Sequence, residues 1–111
     1  SEAREALERV RAFLVSDGSA RFEDIDETSI DRFIINRAGW RDGDTFYIAT
    51  DVWKKIHRGS DPTQAARYLR DAGYLTPGDG NNLAMKTPTA VNGRPRAYAV
   101  SADIMGWSPH D

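Results

Sequence analysis

The chain has 111 residues, 40% of them hydrophobic and 29% charged, with three tryptophans and no cysteine. That length holds one ordinary domain, and that balance belongs to a globular rather than a disordered chain; the absence of cysteine excludes disulfides and thiolate metal sites, and no apolar run is long enough to span a bilayer. The net charge of −2 hides a division, since residues 1–49 carry 7 basic and 11 acidic side chains whereas residues 50–100 carry 8 basic and 4 acidic ones, so the second half is the one suited to a polyanion.

Ala3, Ala6, Leu7, Val10, Phe13 and Leu14 recur at helical spacing and predict an amphipathic helix over residues 2–16, with Glu5 and Arg9 as an ion pair on its polar face. Asp17-Gly18 is its expected end, the glycine taking the left-handed conformation of a C-cap. The stretch Glu23-Asp24-Ile25-Asp26-Glu27 is too acidic to bury and reads as a loop or a frayed edge. Two apolar-rich runs, Phe33 to Trp40 and Thr45 to Ala49, flank Arg41-Asp42-Gly43-Asp44 and predict a β-hairpin about an Asp-Gly turn.

Thr50 is the expected N-cap of a helix running through Arg58, with Val52, Trp53 and Ile56 on one face and Lys54, Lys55 and Arg58 on the other. Gly59-Ser60 stops that helix, and Asp61-Pro62 starts a second, because aspartate caps well and proline fits the first helical position. Ala65, Ala66, Leu69 and Ala72 form its expected buried stripe, leaving Thr63, Gln64, Arg67, Arg70 and Asp71 outside, and Gly73 ends it. Tyr74-Leu75 is a short apolar pair and Pro77 to Asn82 a turn-rich link. Leu83 to Thr87 and Arg96 to Val100 then pair about Asn92-Gly93, and Ile104, Met105 and Trp107 pack back onto the domain.

This order predicts a single α+β domain over residues 1–111 of winged-helix type: N-terminal helix, β-hairpin, helix-turn-helix, β-hairpin wing. Residues 62–72 are the expected recognition helix and residues 83–100 the wing. Gln64 is chemically suited to adenine and Arg67 to guanine, with Arg70 on the same outer face; Lys86, Arg94 and Arg96 on or beside the wing are suited to phosphates. Lys54, Lys55 and Arg58 complete the candidate nucleic-acid-binding set, and are equally readable as a solvated helix face.

Catalytic chemistry finds no support. There is no phosphate-binding glycine loop, and Gly78-Asp79-Gly80 lacks the strand and helix that a nucleotide cradle needs. His57 and His110 are the only histidines and cannot make a recognisable structural zinc site without cysteine. His57, Ser60 and Asp61 have the residue types of a hydrolytic triad, but five consecutive positions across a helical turn do not allow the relay. The acids between Glu23 and Asp31 lack the spacing of a calcium loop. The expectation is a chain that is not itself an enzyme and uses no metal or cofactor. Trp40 and Trp53 follow core periodicities. Trp107 is either a stacking platform or, as its neighbours Ile104 and Met105 favour, a docked tail.

The helix leading into Arg21-Phe22, the run Asn36-Arg37-Ala38-Gly39-Trp40, the strand Phe46-Tyr47-Ile48, Trp53, Asp61-Pro62 and the ending Leu69…Ala72-Gly73-Tyr74-Leu75 together resemble the C-terminal segment of the phage, plasmid and genomic-island ATPases grouped as domain of unknown function 927. Those proteins are regarded as replicative helicases of mobile elements and often carry primase-like modules. The resemblance covers residues 5 to 100, and the Asn-Arg-Ala-Gly-aromatic run is its most specific part. It implies an excised C-terminal part of a larger primase–helicase, with the ATPase residues upstream and no catalytic residue to carry over. Asn36 and Arg37 either touch DNA or the ATPase core, or form a polar pair at the exposed end of a strand. The leading expectation is therefore a non-catalytic DNA-binding domain that helps such a helicase engage its substrate, with single- against double-stranded DNA left open. The charged start Ser1 to Arg11, unlike a signal peptide, makes it cytoplasmic, with no membrane partner. The alternative is a protein-interaction module docking on the ATPase core or on a host replication factor.

Overall fold

A serine before an acidic first turn starts the first helix: Ser1 accepts a hydrogen bond from the Arg4 amide and caps α1, Glu2–Asp17, whose Ala6, Leu7, Val10 and Leu14 form one buried face. The computed structural model describes residues 1–26 and 33–110. After α1 come β1 (Phe22–Asp24), β2 (Gly39–Asp42), β3 (Thr45–Ala49), α2 (Thr50–Ile56), α3 (Pro62–Asp71), β4 (Leu75–Thr76), β5 (Met85–Lys86), β6 (Arg96–Ser101) and a 3₁₀ turn at Ala102–Gly106. The result is an α+β domain with one mixed sheet in the order β1-β2-β3-β6-β4, β1 parallel to β2 and all other pairs antiparallel. No helix among the described residues is long and apolar enough to cross a membrane.

Strand alternation sorts the sheet into two faces. Phe46 and Ile48 of β3, Val100 of β6 and Leu75 of β4 join Leu7, Val10 and Leu14 of α1, Trp53 of α2 and Leu69 of α3 in the main core. Phe22 lies beside Gly39 and meets Phe46 edge-on, ring centroids 5.0 Å apart. On the other face Trp40 opposes Tyr47, which opposes Ala99; Trp40, Val91, Ala97 and Ala99 are buried outside the main core. Ile104 is fully buried, and Met105 and Trp107 pack against the core, so the tail is docked as expected.

Several sequence-based expectations are corrected. Gly18 ends α1 with a right-handed φ of −62°; it is glycine for want of space, because a Cβ would run into the Leu14 carbonyl oxygen and press on the Phe46 ring. The acidic stretch takes the edge form of the two expected: Phe22–Asp24 is the edge strand of the sheet, with its acids half-buried at the rim, while Glu27 and Asp31 lie outside the described residues. The strand expected from Phe33 begins only at Gly39, because Asn36 takes a left-handed φ of 58° and turns the chain; Phe33 and Ile35 are 85% and 77% exposed. The hairpin turn is centred on Gly43-Asp44, one residue later than expected, with Asp42 paired to Thr45 and Gly43 at φ +56°.

Thr50 does not cap α2: it is the first helical residue, Ala49 holds the cap position without a side-chain bond, and the helix stops at Ile56 rather than Arg58. Asp61 does cap α3, accepting from the Thr63 and Gln64 amides at 2.9 and 3.1 Å. Ala72 is exposed rather than in the buried stripe, because the helix has already ended. Gly73 at φ +86° lets its own amide reach Arg70 O and the Tyr74 amide reach Leu69 O, which is a Schellman ending. In the expected wing only Met85 and Lys86 of the run Leu83 to Thr87 are strand, and the turn at Asn92-Gly93, closed from Arg94 N to Val91 O, follows another at Pro88–Val91, so the strands are joined by two turns and not by one.

Candidate nucleic-acid interface

Besides the core contacts of Val52, Ala65, Ala66 and Leu69, an aromatic cluster fastens α2–α3 to the rest. Trp53 is fully buried, donates its indole N–H to the Pro62 carbonyl at 2.8 Å and stacks on Tyr98 of β6 with centroids 4.6 Å apart. His57 also packs on the Trp53 indole, tilted with centroids 4.6 Å apart, and its Nδ1 accepts from Arg9 Nε of α1 at 3.1 Å. Burial first, and the Arg9 guanidinium second, push the His57 pKa down to about 4. With Nδ1 accepting, the proton sits on Nε2, which is buried without a partner. His57 thus clamps the turn between helices, and Asp61 is occupied as a cap. The structure does not assemble these two with Ser60 into a relay. Among the described residues no group of acidic, histidine or cysteine side chains is placed to hold a metal.

Five arginines of the first half, Arg9 among them, are engaged within the domain. Arg11 pairs with Glu8 at 2.6 Å, Arg21 donates to Asn36 O at 2.8 Å, and Arg41 donates to Gly43 O at 2.8 Å while lying over the Phe46 ring. Arg37 lies over Trp40 at 4.8 Å and meets Glu23 at 3.5 Å. The Asn36-to-Trp40 run is therefore accounted for residue by residue: a left-handed Asn36, an arginine stacked on Trp40, a fully buried Ala38, and a Gly39 whose Cβ would collide with the Tyr47 carbonyl. Arg37 is engaged within the domain, as the strand-end reading has it.

In the second half Lys54, Lys55, Arg58, Lys86 and Arg96 are exposed and have no hydrogen-bond or ion-pair partner among the described residues. Six candidate residues fall on α3 and the expected wing, and the loop from Pro77 to Asn82 divides five of them. On one side of it Arg67 and Arg70 line a cleft of about 370 Å³ with Pro77, Asn81 and Asn82; on the other, Lys86, Arg94 and Arg96 line one of about 380 Å³ with Pro77, Asp79 and Asn82. Pro77 and Asn82 are common to both, so the two basic clefts are neighbours. Gln64 is not part of either: it is half-buried and lines a separate cleft against α1 with Glu2, Glu5 and Arg9. Lys54, Lys55 and Arg58 lie on α2 and its end, outside both basic clefts. The walls supplied by Pro77, Asn81 and Asn82 were missed in the sequence, where this turn-rich stretch reads only as a link.

Arg94 differs from the other wing cations. It sits at a left-handed φ of 43° and donates through Nε to the Thr87 carbonyl at 2.8 Å. Thr87 is fully buried and bonds the Pro95 carbonyl through both its amide and its hydroxyl, at 3.0 and 2.9 Å. The neck of the expected wing, residues 86–96, is thus held by bonds of its own. Comparison with protein-family models and with curated proteins gives no match.

Proposed function

We propose that this is a winged-helix DNA-binding domain, a non-catalytic accessory of a mobile-element primase–helicase working in the cytoplasm. The observation that carries the reading is the contrast between halves: Arg9, Arg11, Arg21, Arg37 and Arg41 are tied into the fold, whereas the side chains of Lys54, Lys55, Arg58, Lys86 and Arg96 have no partner among the described residues. Charge without an internal use is the electrostatic footprint of a polyanion-binding face. The topology supports it, because β3, α2, α3, the β4/β5 edge and β6 follow the chain order of a winged helix, with β6 between β3 and that edge. The connection to a helicase rests on the Asn36-to-Trp40 run and its companions.

Fluorescence anisotropy with single- and double-stranded oligonucleotides at low salt tests the reading. Binding should be micromolar or weaker at physiological salt, opposed by the acidic half, and should fall steeply as salt rises, with a slope of about −0.9 per phosphate neutralised on duplex. No binding of either form at tens of micromolar protein overturns it. The exposed Phe33 and Ile35 favour a second reading, docking on a protein partner such as the ATPase core. Removal of both side chains would then abolish co-purification with that partner and leave anisotropy unchanged.

A further inference from the structure

Lys86 and Arg96 are directly opposite one another in the β5–β6 pair. Like charges in that position repel and lower the stability of a strand pair. Arg94 adds a third cation to the same cleft and holds a backbone conformation that costs energy for any residue but glycine. One acid, Asp79, faces them from the loop across the cleft. The wing neck thus concentrates uncompensated positive charge on a rigid frame, with Arg94 Nε anchored on Thr87 O and Thr87 twice bonded to Pro95 O. A seat of this kind is pre-organised for an anion, which would relieve the repulsion on arrival.

The outer face of α3 is arranged oppositely. Arg67 Nη1 donates to Gln64 Oε1 at 3.2 Å, and Arg70 Nε to Asp71 Oδ1 at 3.0 Å. Reading adenine needs both ends of the glutamine amide and reading guanine needs two guanidinium donors; these groups are already answering each other, and the Pro77–Asn82 loop walls the arginines on one side. We infer that the cleft between the Pro77–Asn82 loop and the wing neck is a phosphate seat, held by Lys86, Arg94 and Arg96, and that the domain grips nucleic acid through this seat without reading base sequence. The nucleic-acid part rests on the function proposed above; the seat itself needs only a phosphate group.

The test joins binding to stability. Two duplexes of unrelated sequence and one single strand are titrated by anisotropy against the wild type, Lys86→Gln, Arg96→Gln and Arg67→Gln. Each protein is melted without ligand, and inorganic pyrophosphate is titrated while the amide resonances of residues 86–96 are followed by NMR. The expected result is equal affinity for both duplexes, a several-fold loss in either wing variant, and a salt slope smaller in magnitude by about 0.9 for each cation removed. The same variants should melt at a higher temperature than the wild type, since each removes the repulsion. A preference between duplexes that Arg67→Gln abolishes, with the wing variants binding normally, overturns the inference while leaving DNA binding intact. A lower melting temperature in both wing variants also overturns it. If no oligonucleotide binds but pyrophosphate shifts the wing amides, the DNA reading fails and the seat stands for a free phosphate-bearing ligand; if neither acts, both fail.

Discussion

Leu69→Ala probes whether α3 is held as described. Leu69 is fully buried among core residues of α1, α2 and the sheet, and its carbonyl receives the Tyr74 amide at the helix end. The substitution removes three buried carbons, at ~0.8 kcal/mol each a loss of about 2.4 kcal/mol in transfer energy. The void left, roughly 60–80 Å³ before relaxation, adds about 1.5–2 kcal/mol at ~24 cal/mol per Å³. The expected cost is therefore about 4 kcal/mol, a large part of the ~5–15 kcal/mol that stabilises a domain. With an unfolding entropy of ~2.1 cal/mol/K per residue, this lowers Tm by roughly 15 °C. Urea and thermal melts followed by far-UV circular dichroism and tryptophan fluorescence measure it. Ala72→Gln is the matched control: its side chain leaves the exposed cap position for solvent and should change stability by less than ~0.5 kcal/mol. A cost below ~1 kcal/mol for Leu69→Ala, or above that for Ala72→Gln, would refute the assigned phase of the helix.

His57 gives the fold a pH dependence. Its folded pKa of about 4 lies below the ordinary 6.5, so the unfolded chain takes up the proton first as pH falls. Stabilisation is complete above pH ~6.5 and is lost progressively toward pH ~4, by up to ~3 kcal/mol. Urea titrations at pH 7, 6 and 5 should show this slope in the wild type and a shallower one in His57→Gln; equal slopes would rule out His57 as the source. Gly39→Ala should cost more than ~2 kcal/mol, since its Cβ has no room beside the Tyr47 carbonyl and over-packing of this kind is destabilising. A melt within a few degrees of wild type would show that β2 and β3 do not approach as described.

What the sequence made legible was local chemistry that had no competitor. Asp61-Pro62 at the start of α3, Gly73 at its end and the apolar face of α1 each follow from backbone geometry and periodicity, and each is where it was expected. Errors arose where a tertiary contact outweighed a local preference. Thr50 has a capping side chain, yet Ala49 is the cap, its amide tied to Ala38 O across from the start of β2. Between the loop and the edge that the acids after Phe22 allowed, Phe22 decided for the edge, because it belongs in the core and carries Glu23 and Asp24 into a strand with it. The apolar run from Phe33 looked like a strand because hydrophobic periodicity cannot see the left-handed Asn36 that interrupts it. At the candidate interface the cations were identifiable from charge, whereas their grouping was not. That Gln64 faces α1, and that Arg67 and Arg70 are paired on α3 while Lys86 and Arg96 are free, depends on side-chain geometry that no spacing encodes.

The outer position of the sheet beside β6 is filled twice, by β4 opposite Val100 and Ala99 and by β5 opposite Ala97 and Arg96. The two short strands are separate closures, joined through an exposed loop rather than through continuous ladder bonds. β4 carries Leu75 into the core, while β5 contributes no residue to it. Opening of residues 85–95 uncovers Val91 and Thr87 but leaves the main core and its helices in place. In hydrogen exchange the amides of residues 85–95 should behave as one low-energy unit, exchanging well before those of β3 and the Tyr98–Val100 stretch of β6. The one strand β6 thus serves two closures, a core that keeps α3 in place and a β5 segment that can part from it without the core following.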